Sequence, residues 1–385
     1  MSSITQITHH DLDGYGASTV VGAFAEVDRV LHVARYSDVG PVVSAELKRL
    51  RRAAEPELLL LTDIGLEAGT VSFIKQFATM NAQRTEARHR LLVLDHHLSS
   101  VEQLAAQGIV PAATDSTSTL KRFTFEDPEL TVIVDEARCA TKLAFDHRDL
   151  YATGAVEPSP ALSRLVEAID AVDLWQKQRP IFRQALVLDE LFWESVSGFL
   201  PLEHPWHDRF MSALLLAAAL LLADNLPPAE MERRLGTVRA DVLDALLRGQ
   251  PGDEPTLTAR MRIAPVLARA PELFHRFESG AKMSFALDAG TFQRVSDAIL
   301  SSLDATLVIN VQRSGSMSFR STDGSALDAA RKFKGGGHAD AAGGRLASGM
   351  ATSLSDAAEQ VKAVLEPPPP DLSKSPFAAL QGFKA

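Results

Sequence analysis

A chain of 385 residues exceeds what one ordinary core organises and points to two domains, or three if one is small. Hydrophobic residues at 46% and charged residues at 23% match ordinary globular proteins, which excludes a disordered or fibrous chain. The net charge of -10 argues against wrapping long duplex nucleic acid, which draws on many lysine and arginine contacts to phosphate; a short anionic ligand is still compatible with locally concentrated cations.

The first half alternates short apolar runs with helical patterns, the rhythm of a parallel sheet covered by helices. Ile4 to Thr8, Val30 to Tyr36, Leu58 to Thr62, Leu91 to Leu94 and Thr131 to Val134 read as strands. Ala17 to Val27, Thr70 to Met80, Ser99 to Gln107 and Ala140 to Leu150 read as helices. The expected fold is α/β: a doubly wound parallel-sheet N-terminal domain over 1–180, a helical connector over 181–280, and a smaller C-terminal α/β domain over 281–365. In the last of these, Ala305 to Gln312 and Met317 to Ser321 read as paired strands joined across Arg313 to Ser316. A Pro-rich tail over 366–385, with Pro367 to Pro370 in succession, suits an extended spacer. The apolar run Met211 to Ala223 is shorter than the roughly 18 to 20 residues that span a bilayer, so a buried helix is expected and no membrane partner. The N-terminus lacks the basic and apolar regions of a secretory signal, and Cys139 is the single cysteine, which excludes an intramolecular disulfide. A cytoplasmic location follows as the expectation.

The acidic residues fall where the predicted strands end. His9-His10-Asp11-Leu12-Asp13-Gly14 follows the first, Asp63 follows Leu58 to Thr62, and Asp95-His96-His97 follows Leu91 to Leu94. In an open parallel sheet the carboxyl ends share one edge, where ligands bind. Carboxylates gathered there raise one another's pKa and need compensation, which two divalent cations supply. Mixed imidazole and carboxylate ligation without thiolate favours Mn²⁺, Co²⁺, Fe²⁺ or Zn²⁺, with Mn²⁺ the first choice.

These residues resemble the DHH phosphoesterase superfamily, whose triplet stands here as Asp95-His96-His97. A second landmark some 240 residues on, Gly335-Gly336-Gly337-His338-Ala339-Asp340-Ala341-Ala342-Gly343, looks like the GGGHxxAAG motif of the DHH-associated C-terminal domain. The resemblance implies metal ligands at His9, Asp11, Asp13, Asp63 and His96, with Asp63 bridging two ions. It implies that His97 approaches the substrate phosphate and that Asp95 orients the triplet. A last aspartate ligand falls in Ile169 to Trp175, with Asp170 preferred and Asp173 second. The HxDxDG form of the first motif looks like the oligoribonuclease or nano-RNase branch, which implies hydrolysis of short RNA oligonucleotides to mononucleotides by two-metal activation of water. Cyclic-nucleotide phosphodiesterase, bisphosphonucleotide phosphatase and RecJ-like exonuclease are the alternatives in the same chemistry. A catalytically silent nucleotide-binding regulator is the alternative of another class.

Three successive glycines let a backbone approach an anion closely. Around them, Arg313, Arg320, Arg331, Lys332, Lys334 and Arg345 outnumber Asp323, Asp328 and Asp340. Substrate is therefore expected to be held by Gly335, Gly336, Gly337 and His338, and by Arg320 and Ser321, which resemble the arginine-serine pair preceding the family's glycine motif. His204 and His207, three apart, are read as surface or interface residues, Cys139 as a small buried thiol, and Trp175, Trp193 and Trp206 as packing at the domain junction. A homodimer is compatible with the sequence.

Overall fold

The computed structural model describes residues 3–84, 87–112, 118–196, 200–224 and 226–367. The chain folds into two compact units, one of Met1–Ser197 and Pro205–Leu246, the other of Gly198–His204 and Leu247–Ala385.

The first unit contains β1 (Ser3–His9), α1 (Leu12–Phe24), β2 (Arg29–Val33), α2 (Tyr36–Leu50), β3 (Glu57–Thr62), α3 (Ala68–Ala82), β4 (Arg90–Asp95), α4 (Leu98–Ala106), β5 (Lys121–Thr124), β6 (Leu130–Val134), α5 (Ala140–Asp146), α6 (Pro160–Asp173), α7 (Phe182–Val196), α8 (His207–Ala223) and α9 (Pro228–Leu247). Its sheet runs β2-β1-β3-β4-β6-β5, parallel except for β5 at the edge. Every residue of β3 is buried, as expected of a central strand covered on both faces. Leu59 and Leu61 face a core built with Val43 and Leu47 of α2, Phe73 and Phe77 of α3 and Leu104 of α4. Leu58 and Leu60 alternate to the opposite face, on the side of α1 and α5. The doubly wound α/β fold expected from the sequence is the fold observed.

Several local readings change. β2 ends at Val33, and Tyr36 opens α2, a helix hidden from the sequence by the Gly40-Pro41 punctuation. Burial of Val39, Val43, Leu47 and Leu50 on the sheet outweighs the hydrogen bond that Pro41 cannot make. Helix α1 begins at Leu12 rather than Ala17, because Asp11 caps it with Oδ1 accepting from the Gly14 amide at 3.0 Å. Helix α8 contains Met211 to Ala223 and buries Met211, Leu214, Leu215, Ala218 and Leu222. Among the described residues no helix is long and apolar enough to cross a membrane.

The second unit contains α10 (Ala259–Ala268), β7 (Phe274–Arg276), β8 (Lys282–Phe285), α11 (Ala289–Ser301), β9 (Leu307–Val311), β10 (Ser316–Ser321), α12 (Ser325–Lys332), β11 (Gly336–His338), β12 (Ala341–Arg345) and α13 (Leu354–Leu365). The helical segment expected over 181–280 is thus divided between the units, α7 to α9 with the first and α10 with the second. The second sheet runs β11-β12-β10-β9-β8-β7 over a core including Met283, Ile309, Phe319, Ala330 and Val361. Strands β9 and β10 form the expected antiparallel pair, and β8 joins β9 in parallel through α11. The tail beyond Pro367 lies outside the described residues.

Candidate metal and active site

The chain leaves β1 outward to β2 and returns to β3 on the other side of β1, so the order reverses between β1 and β3. That reversal opens a crevice at the carboxyl ends of the strands. The register sets Thr8 against Thr62 and Thr62 against Leu94, so the residues that follow, His9, Asp63 and Asp95, lie side by side. Asp11 and Asp13 join from the start of α1, and His96 and His97 from the turn into α4.

Three overlapping groups result: His9, Asp11 and Asp63; Asp63, His96 and His97; and Asp13, His96 and Asp173. Within each, the nitrogen and oxygen atoms lie within 4.8 Å of one another. His9 Nδ1 is 2.6 Å from Asp11 Oδ2 and 3.9 Å from Asp63 Oδ2, and His96 Nε2 is 3.3 Å from Asp63 Oδ1. Asp63 belongs to two groups, is buried, and its Oδ2 has no hydrogen-bond partner. It also has φ of 56°, a left-handed conformation that aspartate tolerates better than most side chains.

Burial raises the Asp63 carboxyl well above the usual carboxylate range, and the charges of Asp13 and Asp11 push it further. Asp173 rises for the same reasons, burial first and then Asp13 and Asp11. Burial also acts to raise Asp11, but the hydrogen bond and charge of His9 outweigh it and hold Asp11 at about 2. Asp13 is fully buried, its two oxygens accepting from the Ala140 and Thr141 amides at 2.7 and 2.8 Å, at the start of α5. A carboxylate set this buried, with an orphaned oxygen at its centre, fits divalent cations: imidazole nitrogens and carboxylate oxygens are present and thiolates are not.

His97 is held from two sides. Its Nδ1 lies 2.7 Å from Asp95 Oδ1, and the other Asp95 oxygen accepts from the Ser100 hydroxyl. Its Nε2 lies 3.2 Å from the Tyr36 hydroxyl. The Asp95 hydrogen bond raises the His97 pKa against the opposing effect of burial, favouring the charged imidazolium. The Tyr36 ring also lies 5.4 Å from that of His9, and burial together with Asp63 pushes its hydroxyl up to about 12. Sequence reasoning missed Tyr36 and Ser100, since only the fold sets α2 and α4 beside the triplet.

The last aspartate needs correction. Asp173, not Asp170, joins His96 and Asp13; Asp170 Oδ1 accepts from the Cys139 amide at 3.0 Å, and its Oδ2 pairs with Arg179 at 2.6 Å. The two lie three apart on one face of α6, and the difference is depth: Asp170, a turn back, meets the Cys139 amide and Arg179, while Asp173, the last helical residue, reaches the crevice. Cys139 is buried, as expected, and burial pushes its thiol far up. His207 is buried rather than at a surface, its Nε2 2.6 Å from the Tyr15 hydroxyl, and His204 is buried as well. Trp175 and Trp193 are not packed away: each leaves half or more of its surface exposed, 56% and 51%.

In the second unit, Gly336 to His338 form exposed β11, paired with β12. Gly335 and Gly337 are required by that hairpin, since a Cβ would lie 1.9 Å from the Gly343 carbonyl oxygen and 2.6 Å from that of Ala341. A Cβ on Gly336 would meet nothing within 4 Å. Arg320 is half-buried on β10, with its guanidinium near the Phe292 ring and donating to the Phe319 carbonyl. The Ser321 hydroxyl is committed internally: it donates to Asp340 Oδ1 at 3.0 Å and accepts from the Ala326 amide at 3.1 Å. It braces the start of α12 instead of facing a ligand.

The fold and the crevice define an α/β protein with a buried carboxylate and imidazole cluster at the switch point of its first sheet. A solved structure of an uncharacterized protein from Helicobacter pylori G27 shares the fold, with a TM-score of 0.73 and 20% identity over 94% of this chain and 99% of that one. Manganese-bound RecJ from Thermus thermophilus aligns with a TM-score of 0.24 and 17% identity, over 94% of this chain and 51% of its own. The pGpG-specific phosphodiesterase PggH from Vibrio aligns with a TM-score of 0.26 and 13% identity, over 94% of this chain and 100% of its own. No family model and no curated protein matches the chain.

Proposed function

We propose that the protein is a divalent-metal-dependent phosphoesterase of the DHH superfamily, and that its substrates are short oligoribonucleotides cleaved to mononucleotides. The observation that supports this most is the buried, unpartnered Oδ2 of Asp63, shared between two groups of nitrogen and oxygen ligands. One cation would be held by His9, Asp11 and Asp63, and a second by Asp63, Asp13, His96 and Asp173. Two such ions, Mn²⁺ by preference, would supply the positive charge that activates water and neutralises the leaving oxygen.

The chain's own residues do the rest. His97, oriented by its Nδ1 contact with Asp95, which also raises its pKa, donates a hydrogen bond to a non-bridging phosphate oxygen. Asp95 is itself locked by Ser100, so the imidazole presents Nε2 in one orientation, toward the crevice edge where Tyr36 stands. In the second unit, Arg320, Gly335, Gly336, Gly337 and His338 hold the nucleotide chain, with Gly336 the position at which a missing side chain leaves room for a ligand.

Purified protein incubated with Mn²⁺ and a panel of di- to decaribonucleotides, cyclic nucleotides and bisphosphonucleotides tests both the chemistry and the substrate class. Release of mononucleotides from the shortest oligomers is expected. Turnover of cyclic or bisphosphorylated nucleotides alone would overturn the oligoribonuclease assignment, and no turnover with any divalent metal would favour a silent nucleotide-binding protein.

A further inference from the structure

Beside the carboxylate cluster, wholly within the first unit, lies an open cavity of about 220 Å³. Asp11, Asp13 and Asp173 line it on the cluster side, and Trp175, Asp189 and Trp193 on the other. Nothing in the reaction described above uses Trp175, Asp189 or Trp193. We propose that this cavity is a nucleobase subsite, in which a guanine ring stacks against the indoles and presents its adjacent N–H donors to Asp189.

Size is the first argument. The cavity is smaller than the about 300–1,000 Å³ typical of pockets for drug-sized ligands, which suits one planar ring system rather than a whole nucleotide. Its walls are the second. Tryptophan is highly buried on average, yet these two expose half or more of their surface. An exposed indole beside a phosphodiester site is a stacking platform available to any base.

Trp175 sits there against its own backbone preference. Helix α6 ends with the Gln176 amide donating to the Ala171 carbonyl at 2.8 Å and the Trp175 amide to Val172 at 3.1 Å. That pair of bonds is the helix stop at which glycine usually takes the left-handed position. Here a bulky residue takes it, with φ of 52°. Its ring centroid lies 5.3 Å from that of Phe182, the planes at right angles, and Lys177 Nζ lies 5.5 Å from the indole centroid, yet the residue stays largely exposed.

The choice of base follows from the carboxylates. Asp11, Asp13 and Asp173 belong to the proposed metal ligands, so Asp189 is the lining carboxylate left to meet a base, and a carboxylate favours a ring that donates hydrogen bonds. Asp189 and Trp193, four apart on α7, share a helix face; burial raises the Asp189 carboxyl, and a hydrogen bond from Trp193 opposes that rise. A carboxylate accepts about four hydrogen bonds, so capacity remains for a second pair of donors. Guanine presents N1–H and N2–H side by side; adenine and cytosine present an amino group beside an acceptor, and uracil a single N–H between two carbonyls.

The proposal rests on the phosphoesterase reading for the cavity's placement, but its test does not need turnover. Equilibrium dialysis of the metal-free protein against guanosine, adenosine, cytidine and uridine should show guanosine retained most strongly. Trp175→Gly should weaken guanosine about tenfold or more, while its thermal midpoint holds or rises, because glycine relieves the left-handed backbone. Trp175→Phe should restore much of the affinity, and Asp189→Asn should weaken guanosine more than adenosine. Equal retention of all four nucleosides, or wild-type guanosine binding by a folded Trp175→Gly protein, overturns the subsite. Hydrolysis of the base-free diester bis(p-nitrophenyl) phosphate in Mn²⁺ separates the two ideas. Turnover without guanosine binding sinks the subsite alone, and guanosine binding without any phosphoesterase activity sinks the function alone.

Discussion

The two sets of residues that the sequence singled out are built in opposite ways. In the first unit the carboxylates of Asp13 and Asp63 are brought together out of water, with Asp173 at their exposed margin and an oxygen of Asp63 lacking a hydrogen-bond partner. In the second unit the glycine strand is exposed, its backbone already spent on a hairpin and its neighbouring Ser321 committed to Asp340. One region gathers buried carboxylates whose charge a proton or a cation relieves; the other offers open space beside an exposed backbone. The difference teaches that two motifs of similar sequence distinctness can fold into a buried polar cluster in one place and an exposed hairpin in another.

The largest effect should come from Asp63→Asn. Hydrolysis of short RNA in Mn²⁺ is expected to fall by about a thousandfold or more, as expected when the carboxylate shared by both cations is lost. The metal-free variant should nevertheless gain stability over wild type in urea unfolding as the pH rises, because asparagine cannot ionise in that buried position and accepts the left-handed backbone. A metal-free variant that gains nothing as the pH rises would count against the buried-carboxylate account.

Asp173→Asn and Asp170→Asn should separate next. The first is expected to weaken Mn²⁺ binding, followed by electron paramagnetic resonance, by about tenfold or more. The second removes the charge that pairs with Arg179, leaving its bond to Gln176, and should cost about 1–3 kcal/mol of folding stability with a smaller effect on metal binding. The reverse pattern would restore Asp170 as the ligand.

In the second unit, Gly335→Ala should disrupt the β11 hairpin, readable as lost amide protection, since its Cβ would strike the Gly343 carbonyl. Gly336→Ala should fold normally and raise KM for oligonucleotides with little change in kcat. Equal stability losses would erase the distinction between hairpin glycines and the ligand-facing one.

Smaller still, Tyr36→Phe removes the hydroxyl on His97 Nε2 and should lower kcat about two- to tenfold, with a shift in the pH profile. The smallest expected effect concerns His10, lowered to about 4 by burial first and then by the nearby His32 and His207. Its folded pKa lies below the ordinary 6.5, so the folded state binds fewer protons. Its contribution to stability is therefore complete above about pH 6.5 and lost as the pH falls toward 4. His10→Gln should flatten that part of the dependence of melting temperature on pH.

The sequence by itself determined the doubly wound class, the strands β1, β3, β4 and β6, and the gathering of His9, Asp11, Asp13, Asp63, His96 and His97 at one sheet edge. Apolar runs of strand length and acids placed just past them are local signals, and parallel strands turn such signals into neighbours. Only the tertiary structure decided which aspartate of α6 enters the crevice, because the two share a helix face and only packing sets Arg179 against Asp170 and His96 near Asp173. It alone brought Tyr36, Asp189 and Trp193 to the site, since α2 and α7 meet the sheet edge through packing that no spacing in the chain records. It alone withdrew Ser321 from substrate and committed it to Asp340, a partner 19 residues away that only the pairing of β10 with β12 brings within reach.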